Sequence, residues 1–258
     1  MNNNFNISRN NKYLILIFFI FLFHLINNAY VLNLDQTPYV YDMANLRLQS
    51  LNYFDALNNH NYKNIISLYS QIESFYPPLI TLTSLPFYYI FGTTQNITSL
   101  SNLFYFFILL YSMYFIGKKI ASEQVGLLSS LIVSFIPGIY SFSRVFMPDF
   151  ALTAIVMLSI SLMINSNYFK KKIITILFGL SLSLGMLIKW SFLIYMIGPF
   201  IIYFFMAFDY NDIITKKIFF NKQFLFFLII IFIPVLIALT WYLNKIPFIL
   251  NRVQKLNH

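Results

Sequence analysis

"SRVFMPDF", residues 143–150, separates two strongly apolar runs, "VGLLSSLIVSFIPGIYSF" (125–142) and "ALTAIVMLSISLMI" (151–164). Only 10% of the 258 residues are charged, against about a quarter in a soluble globular domain. A chain with 59% hydrophobic residues cannot cover its outside with polar groups in water, whereas lipid can cover it. The composition therefore predicts an all-α polytopic membrane protein, because helices satisfy their own backbone groups within a bilayer.

Seven apolar runs are long enough to cross a membrane: 13–34, 98–116, 123–142, 148–165, 173–188, 191–208 and 223–243. An eighth, "YPPLITLTSLPFYYIFG" (76–92), has about 14 residues between Pro77 and Gly92, or roughly 21 Å of a ~30 Å core. We expect it to dip into the membrane or to lie at its interface, without crossing. For the first run the competing interpretation is a cleaved signal peptide, but the surroundings of Ala29 make a poor cleavage site.

The distribution of basic residues orients these spans. With seven crossings and a cytoplasmic N-terminus (1–12), ten of the 17 lysines and arginines fall on the cytoplasmic side, as the positive-inside rule requires. The loop 35–97, the 143–149 link, "IKWS" (188–191) and the tail 246–258 then share the non-cytoplasmic side. Within the loop, "MANLRLQSLNYFDAL" (43–57) has the apolar spacing of a helix lying on the membrane surface.

Five charged residues on this side are candidates for chemistry. Asp35 and Asp42 are candidates for a general base, with a solvated loop acid as the alternative. Lys189 lies at the outer end of an apolar run, beside Trp190, on the side that holds fewer of the basic residues. Arg144 and Asp149 carry opposite charges at a membrane edge, where charge is costly and usually has a partner or a role. The alternative is structural: Asp149 follows Pro148 in the first turn of the next helix and favours its dipole, and Arg144 anchors a lipid phosphate.

Other functions are disfavoured by composition. The net charge of +9 comes from basic residues at the ends of apolar runs, which is typical of membrane anchoring and gives no reason to expect a nucleic-acid partner. The absence of cysteine excludes disulfides, thiolate catalysis and cysteine-ligated zinc. His24, within the first apolar run, is interpreted as a packed side chain rather than a metal ligand.

Four motifs occur in a definite order after the first run. They are "YDMANLRLQSLNYF" (41–54), "YPPLITLTSLPFYYIFG" (76–92), "SRVFMPDFALTAIVMLS" (143–159) and "GLSLSLGMLIKWSFLIYMIGP" (179–199). In this order they resemble the N-terminal half of membrane glycosyltransferases of the GT-C fold, the broad family of dolichyl-phosphate-mannose protein mannosyltransferases and bacterial lipid A aminoarabinose transferases. The resemblance covers nearly all of 13–245 and implies a GT-C-like module of about seven transmembrane helices with juxtamembrane helices on its outer surface.

The resemblance also implies a reaction. A sugar on a polyprenyl phosphate is the expected donor, and an acceptor (lipid, glycan or protein) on the non-cytoplasmic face attacks its anomeric carbon with inversion. By motif position Asp42 is the expected catalytic base, with Lys189 and Arg144 near the donor phosphate. Asp149 is expected to orient the acceptor, to pair with Arg144 or to help hold a metal. A divalent metal is left open, because metal dependence varies in this fold, and the bacterial inner membrane is the expected location.

The chain also departs from the resemblance. Asp42 is followed by Met43 where relatives often have glutamate, and Tyr76 precedes the prolines where some relatives have lysine. Relatives are roughly twice as long, which predicts a truncated chain, one half of an enzyme that a second polypeptide completes, or a non-catalytic fragment or subunit. A transporter or flippase is the alternative from another class, and it predicts charges inside spans and paired broken helices.

Overall fold

A computed structural model of the chain describes residues 9–35, 37–70, 76–208, 222–243 and 245. Every regular element in these ranges is a helix, which confirms the all-α prediction. The predicted tail 246–258, the N-terminal residues 1–8 and the anchoring lysines 216 and 217 lie outside the described residues. The helices are α1 (Arg9–Leu34), α2 (Tyr41–Asn58), α3 (Tyr62–Ser70), α4 (Leu79–Thr83), α5 (Leu85–Phe91), α6 (Gln95–Leu100), α7 (Asn102–Ile120), α8 (Glu123–Phe135), α9 (Pro137–Phe142), α10 (Pro148–Asn165), α11 (Lys172–Ile188), α12 (Phe192–Ala207) and α13 (Lys222–Leu243).

Four stretches of the described residues are long and apolar enough to cross a membrane: Lys12–Leu34, Gln95–Ile120, Pro148–Asn165 and Phe224–Leu243. The other expected spans form the shorter apolar helices α8, α11 and α12, of 13, 17 and 16 residues. Large apolar side chains stay exposed along α1, α12 and α13, including Phe19, Ile202 and Phe232. Such faces are stable against lipid rather than water, so the chain is a multi-pass integral membrane protein.

The expected span over 123–142 consists of two helices in the structure. Helix α8 ends at Phe135 and α9 begins at Pro137. Between them Ile136 is extended, with φ −60° and ψ 124°. Proline has no N–H to donate and disfavours a helical conformation in the residue before it. The chain therefore leaves the α8 direction before it reaches the 143–149 link.

The 76–92 motif forms two short helices, α4 and α5, of five and seven residues. Pro86 stands in the first turn of α5, where its missing N–H costs nothing. Both helices contact α2, and α4 also contacts α11. Neither is long enough to span a bilayer, as the sequence predicts.

The predicted surface helix over 43–57 is α2. It buries one face, made of Leu46, Ser50, Tyr53 and Ala56. These positions recur every three or four residues, which places them on one side of a helix. That side packs against α3, α4 and α5 rather than remaining free.

The main core lies where α7 packs against α8 and α10, and where α11 packs against α10 and α13. Helices α11 and α13 approach closely at Gly179, because a Cβ there would lie 2.3 Å from the backbone oxygen of Ile230. Any larger residue at 179 would push the two helices apart.

The polar connections gather at one end of this bundle. Asn28, near the end of α1, donates a hydrogen bond of 3.0 Å to the hydroxyl of Ser143. Lys189, just after α11, contacts Asp149, at the start of α10. We call this the loop end: it holds the end of α1, helices α2–α6, the 143–147 link and Lys189.

Candidate functional site

The 143–147 link is held in place by an apolar side chain. Phe146 is fully buried and packs with Leu46 of α2 and Ile80 of α4. Met147 is extended, and Pro148 begins α10 with Asp149 in its first turn, as the sequence predicts. The link is thus fixed against the loop helices, and Asp149 sits where the helix dipole favours a carboxylate.

Asp149 forms an ion pair with Lys189. The ammonium Nζ lies 2.7 Å from Oδ1 of Asp149. Lys189 directly follows α11 in an extended conformation, with φ −160° and ψ 137°. The pair is partly open, with side-chain exposures of 23% for Lys189 and 49% for Asp149. An ammonium has three N–H donors, so the group also has donors for a ligand that enters from the open side.

Tyr76 links this pair to Asp42. Its hydroxyl donates a hydrogen bond of 3.1 Å to Oδ2 of Asp42, which is exposed in the first turn of α2. The ammonium of Lys189 lies 5.9 Å from the centre of the Tyr76 ring. Asp42, Tyr76, Lys189 and Asp149 therefore form one connected group, which we call the four-residue site.

Tyr76 acts as a donor in this group. Burial, and then its hydrogen bond to Asp42, raises the pKa of Tyr76 to about 12. The phenol is therefore protonated at neutral pH and donates to the Asp42 carboxylate. The Tyr76 hydroxyl does not bond to Oδ1 of Asp42, so this bond does not prevent Oδ1 from accepting a proton.

Arg144 lies in a separate polar cluster at the same end. Its Nε donates to Oδ1 of Asn28 at 2.8 Å, and Nη2 donates to Oδ1 of Asn27 at 2.9 Å. The guanidinium also stacks on Tyr140, 3.9 Å from the ring centre. The expected alternative of an Arg144–Asp149 pair is wrong, since the carboxylate contacts Lys189 and two arginine donors go to α1.

Asp35, the second candidate base, is part of a local turn. Both the backbone N–H and the hydroxyl of Thr37 donate to its Oδ1. These bonds lower the pKa of Asp35, which makes the carboxylate a weaker proton acceptor. Of the two acids, Asp42 is the one that the fold joins to the other candidate residues.

In the described part of the chain, no group of three or more histidine and carboxylate side chains forms a set of metal ligands. His24 is fully buried against the rings of Phe23, Phe106 and Phe135, in agreement with its interpretation as a packed side chain. The two ion pairs among the described residues, Lys118–Glu123 and Lys189–Asp149, both lie at helix ends.

Sequence reasoning missed the partners of the site residues. Tyr76 is notable in the sequence only as a departure from relatives with lysine, and Asn27 and Asn28 only as neighbours of a poor cleavage site. Two adjacent amides near the end of an apolar helix are themselves a signal, because an unsatisfied amide is costly in a membrane. An arginine at a neighbouring span end is the kind of group that can satisfy them.

Fold and site together define a multi-pass helical membrane protein with a partly open, charged site at one end of its bundle. The family model for dolichyl-phosphate-mannose-protein mannosyltransferase matches residues 12–250. The chain belongs to this family. It is therefore a membrane-embedded glycosyltransferase, which confirms the GT-C resemblance drawn from the four motifs and the expected transferase activity. No curated protein and no solved structure matches the chain.

Proposed function

We propose that the chain transfers a sugar from a polyprenyl-phosphate donor to an acceptor hydroxyl on the non-cytoplasmic face, with inversion at the anomeric carbon. The observation that carries the proposal is the four-residue site, in which Asp42, Tyr76, Lys189 and Asp149 are joined at the loop end. The family contributes the class of donor, a sugar linked to a lipid phosphate in the membrane.

Asp42 is the proposed general base. Its carboxylate takes the proton of the acceptor hydroxyl while the acceptor oxygen bonds to the anomeric carbon. The bond between that carbon and the phosphate oxygen breaks, and the electron pair leaves with the polyprenyl phosphate. Tyr76 holds Oδ2 of Asp42, which leaves Oδ1 for the acceptor proton.

Lys189 is the proposed cation for the departing phosphate. Negative charge builds up on the leaving group, and a fixed ammonium nearby lowers the barrier. Asp149 holds that ammonium at 2.7 Å, so its role in the proposal is to position Lys189 and to orient the acceptor. Arg144 adds positive charge at the same end through the guanidinium N–H groups that do not bond to Asn27 or Asn28.

A bacterial inner membrane with a cytoplasmic N-terminus is the proposed setting. Lys118 and Lys119 lie in the last turn of α7, and Lys172 begins α11, at the end of the bundle opposite the loop end. Basic residues favour the cytoplasmic side, which would place the four-residue site on the outer side.

The test is an Asp42→Asn variant, assayed as the full chain in membranes with a radiolabelled polyprenyl-phosphate sugar. We expect sugar transfer to fall by about 10²- to 10⁴-fold, the usual contribution of a general base. Asp55→Asn is the matched control, since Asp55 is an exposed carboxylate on the same helix and should not affect transfer. If Asp42→Asn retains the rate of Asp55→Asn, Asp42 is not the base.

A further inference from the structure

Lys245 is a buried lysine near the end of α13. The residue is 3% exposed, and its ammonium has no hydrogen-bond partner among the residues that the structure describes. The group lies 4.9 Å from the centre of the Trp241 ring, which is itself buried. An ammonium taken out of water without a partner is unfavourable, so such a group usually serves a ligand or shifts its titration. Burial lowers the pKa of Lys245.

The position of Lys245 is set by contact between α11 and α13. The hydroxyl of Tyr242 donates to the carbonyl of Met186 at 2.6 Å, and the backbone N–H of Lys245 donates to the carbonyl of Tyr242 at 2.9 Å. Lys189 lies three residues after Met186, as Lys245 lies three after Tyr242. Both lysines therefore come just after the contact between α11 and α13, on the side of the loop end.

Helix α3 also reaches this end of α13. The hydroxyls of Tyr69 and Thr240 are 3.1 Å apart, so a helix of the loop packs beside the last turn of α13. Lys245 therefore lies on the same polar end as the four-residue site, but within a more enclosed part of it.

The charge of the proposed site explains what Lys245 would bind. Asp42, Asp149, Lys189 and Arg144 sum to zero when all four are ionised, and Lys189 is already paired with Asp149. A sugar joined to a lipid through a phosphodiester brings one negative charge. When the bond between sugar and phosphate breaks, the phosphate gains a second charge, while the acceptor proton goes to Asp42. The charges of Asp42, Asp149, Lys189 and Arg144 do not balance the phosphate. Lys245 supplies the additional positive charge.

We infer that Lys245 binds the phosphate of the lipid-linked sugar donor, on the side of the four-residue site formed by α11 and α13. The inference rests on the proposed function for the identity of the donor. The Trp241 ring covers the ammonium and keeps water away, which strengthens its hydrogen bonds to phosphate oxygens. A membrane phospholipid carries the same phosphodiester chemistry and is the other source of such an anion.

The test compares lipid binding by the full chain in nanodiscs, using a polyprenyl phosphate and phosphatidylglycerol as separate probes in native mass spectrometry. Lys245→Met keeps the apolar stem against Trp241 and removes the charge. Lys245→Arg keeps the charge. Lys63→Met is the matched control, because Lys63 is an exposed lysine at the same end and its loss changes the net charge equally.

We expect Lys245→Met to weaken polyprenyl-phosphate binding by about tenfold or more, the effect of losing a charge-assisted hydrogen bond. Lys245→Arg should retain most of the binding, and Lys63→Met should match the unaltered chain. The melting temperature of Lys245→Met without lipid should be unchanged or higher, because it removes a buried charge that no described residue pairs with.

Three results would overturn the inference. One is equal polyprenyl-phosphate binding by Lys245→Met and Lys63→Met. Another is an equal loss of phosphatidylglycerol binding, which would assign Lys245 to bulk lipid. The third is a fall in the melting temperature of Lys245→Met, which would show that the ammonium has a stabilising partner within the chain. Binding is read without sugar transfer, so a failed Asp42→Asn test would leave this result intact, and the reverse also holds.

Discussion

A Gly185→Ala substitution should disable the site from within the bundle. A Cβ at position 185 would lie 2.2 Å from a ring carbon of Phe192, which is fully buried. Carbon atoms pack at about 3.5 Å, so the ring would have to move by about 1.3 Å. The backbone N–H of Phe192 donates to the carbonyl of Lys189 at 3.1 Å, so this movement reaches the turn that carries the lysine.

The magnitude follows from that displacement. If the turn follows the ring in full, the 2.7 Å contact between Lys189 and Asp149 lengthens to at most about 4 Å, the outer limit for an ion pair. Misplacement by about 1 Å costs roughly 10²-fold in rate in well-positioned sites, and overpacking a core costs about 1–3 kcal/mol. We therefore expect transfer to fall by roughly 10²-fold while the chain still folds with a lowered melting temperature.

Two further variants test whether the effect of Gly185→Ala comes from its contact with Phe192. Gly198→Ala is the control, because no atom lies within 4 Å of a Cβ at that position on α12. The double variant Gly185→Ala with Phe192→Ala removes all the ring atoms that would clash and should recover part of the activity. Transfer is measured in membranes and melting by fluorescence-detected gel filtration in detergent. A Gly185→Ala chain with the activity and melting temperature of Gly198→Ala would refute the packing argument.

The remaining predictions concern the hydrogen bonds and orientation of the loop end. Since the pKa of Tyr76 is raised to about 12, its hydroxyl stays protonated through pH 10 and its bond to Asp42 is lost only near pH 12. The ratio of transfer rates between the unaltered chain and Tyr76→Phe should thus be constant from pH 6 to about pH 10; a ratio that falls toward one near pH 9 would contradict this. Arg144→Lys keeps the charge but loses the planar donors that bind α1, so it should lower the free energy of unfolding by about 1–3 kcal/mol in a thermal melt, and an unchanged melt would argue against that contact. A single cysteine at position 118 should react with an impermeant maleimide only from the cytoplasmic side, and labelling from outside would reverse the proposed orientation.

The apolar helices and the overall class could be predicted because hydropathy is a local property. A span needs a run of apolar residues, and that run is visible in the sequence whatever it packs against. The outcome at individual prolines could not be predicted in the same way. Pro199 stands inside α12, whereas Pro137 begins a new helix after an extended residue. The difference depends on whether the surroundings satisfy the backbone groups that proline leaves free.

The candidate residues could be selected by sequence because a charge beside an apolar run is conspicuous. Asp42, Asp149 and Lys189 meet this description, and the structure brings them into one connected group. Lys245 meets it only weakly, as one more lysine after a span. Its significance is its burial with no hydrogen-bond partner among the described residues, which is a property of packing and not of the local sequence.

The sequence by itself determined the membrane class, the helical spans and the polar character of one end, since these follow from composition and from residues close together in the chain. Only the tertiary structure decided the pairings. Lys189 reaches Asp149 across 40 residues, Tyr76 reaches Asp42 across 34, and Arg144 reaches Asn28 across 116. The sequence around a carboxylate does not show which of two cations it will pair with, because helix packing sets the distance between the charged groups. In the folded chain Asp149 pairs with Lys189, and Arg144 binds Asn27 and Asn28. The two charges of "SRVFMPDF" therefore have different partners.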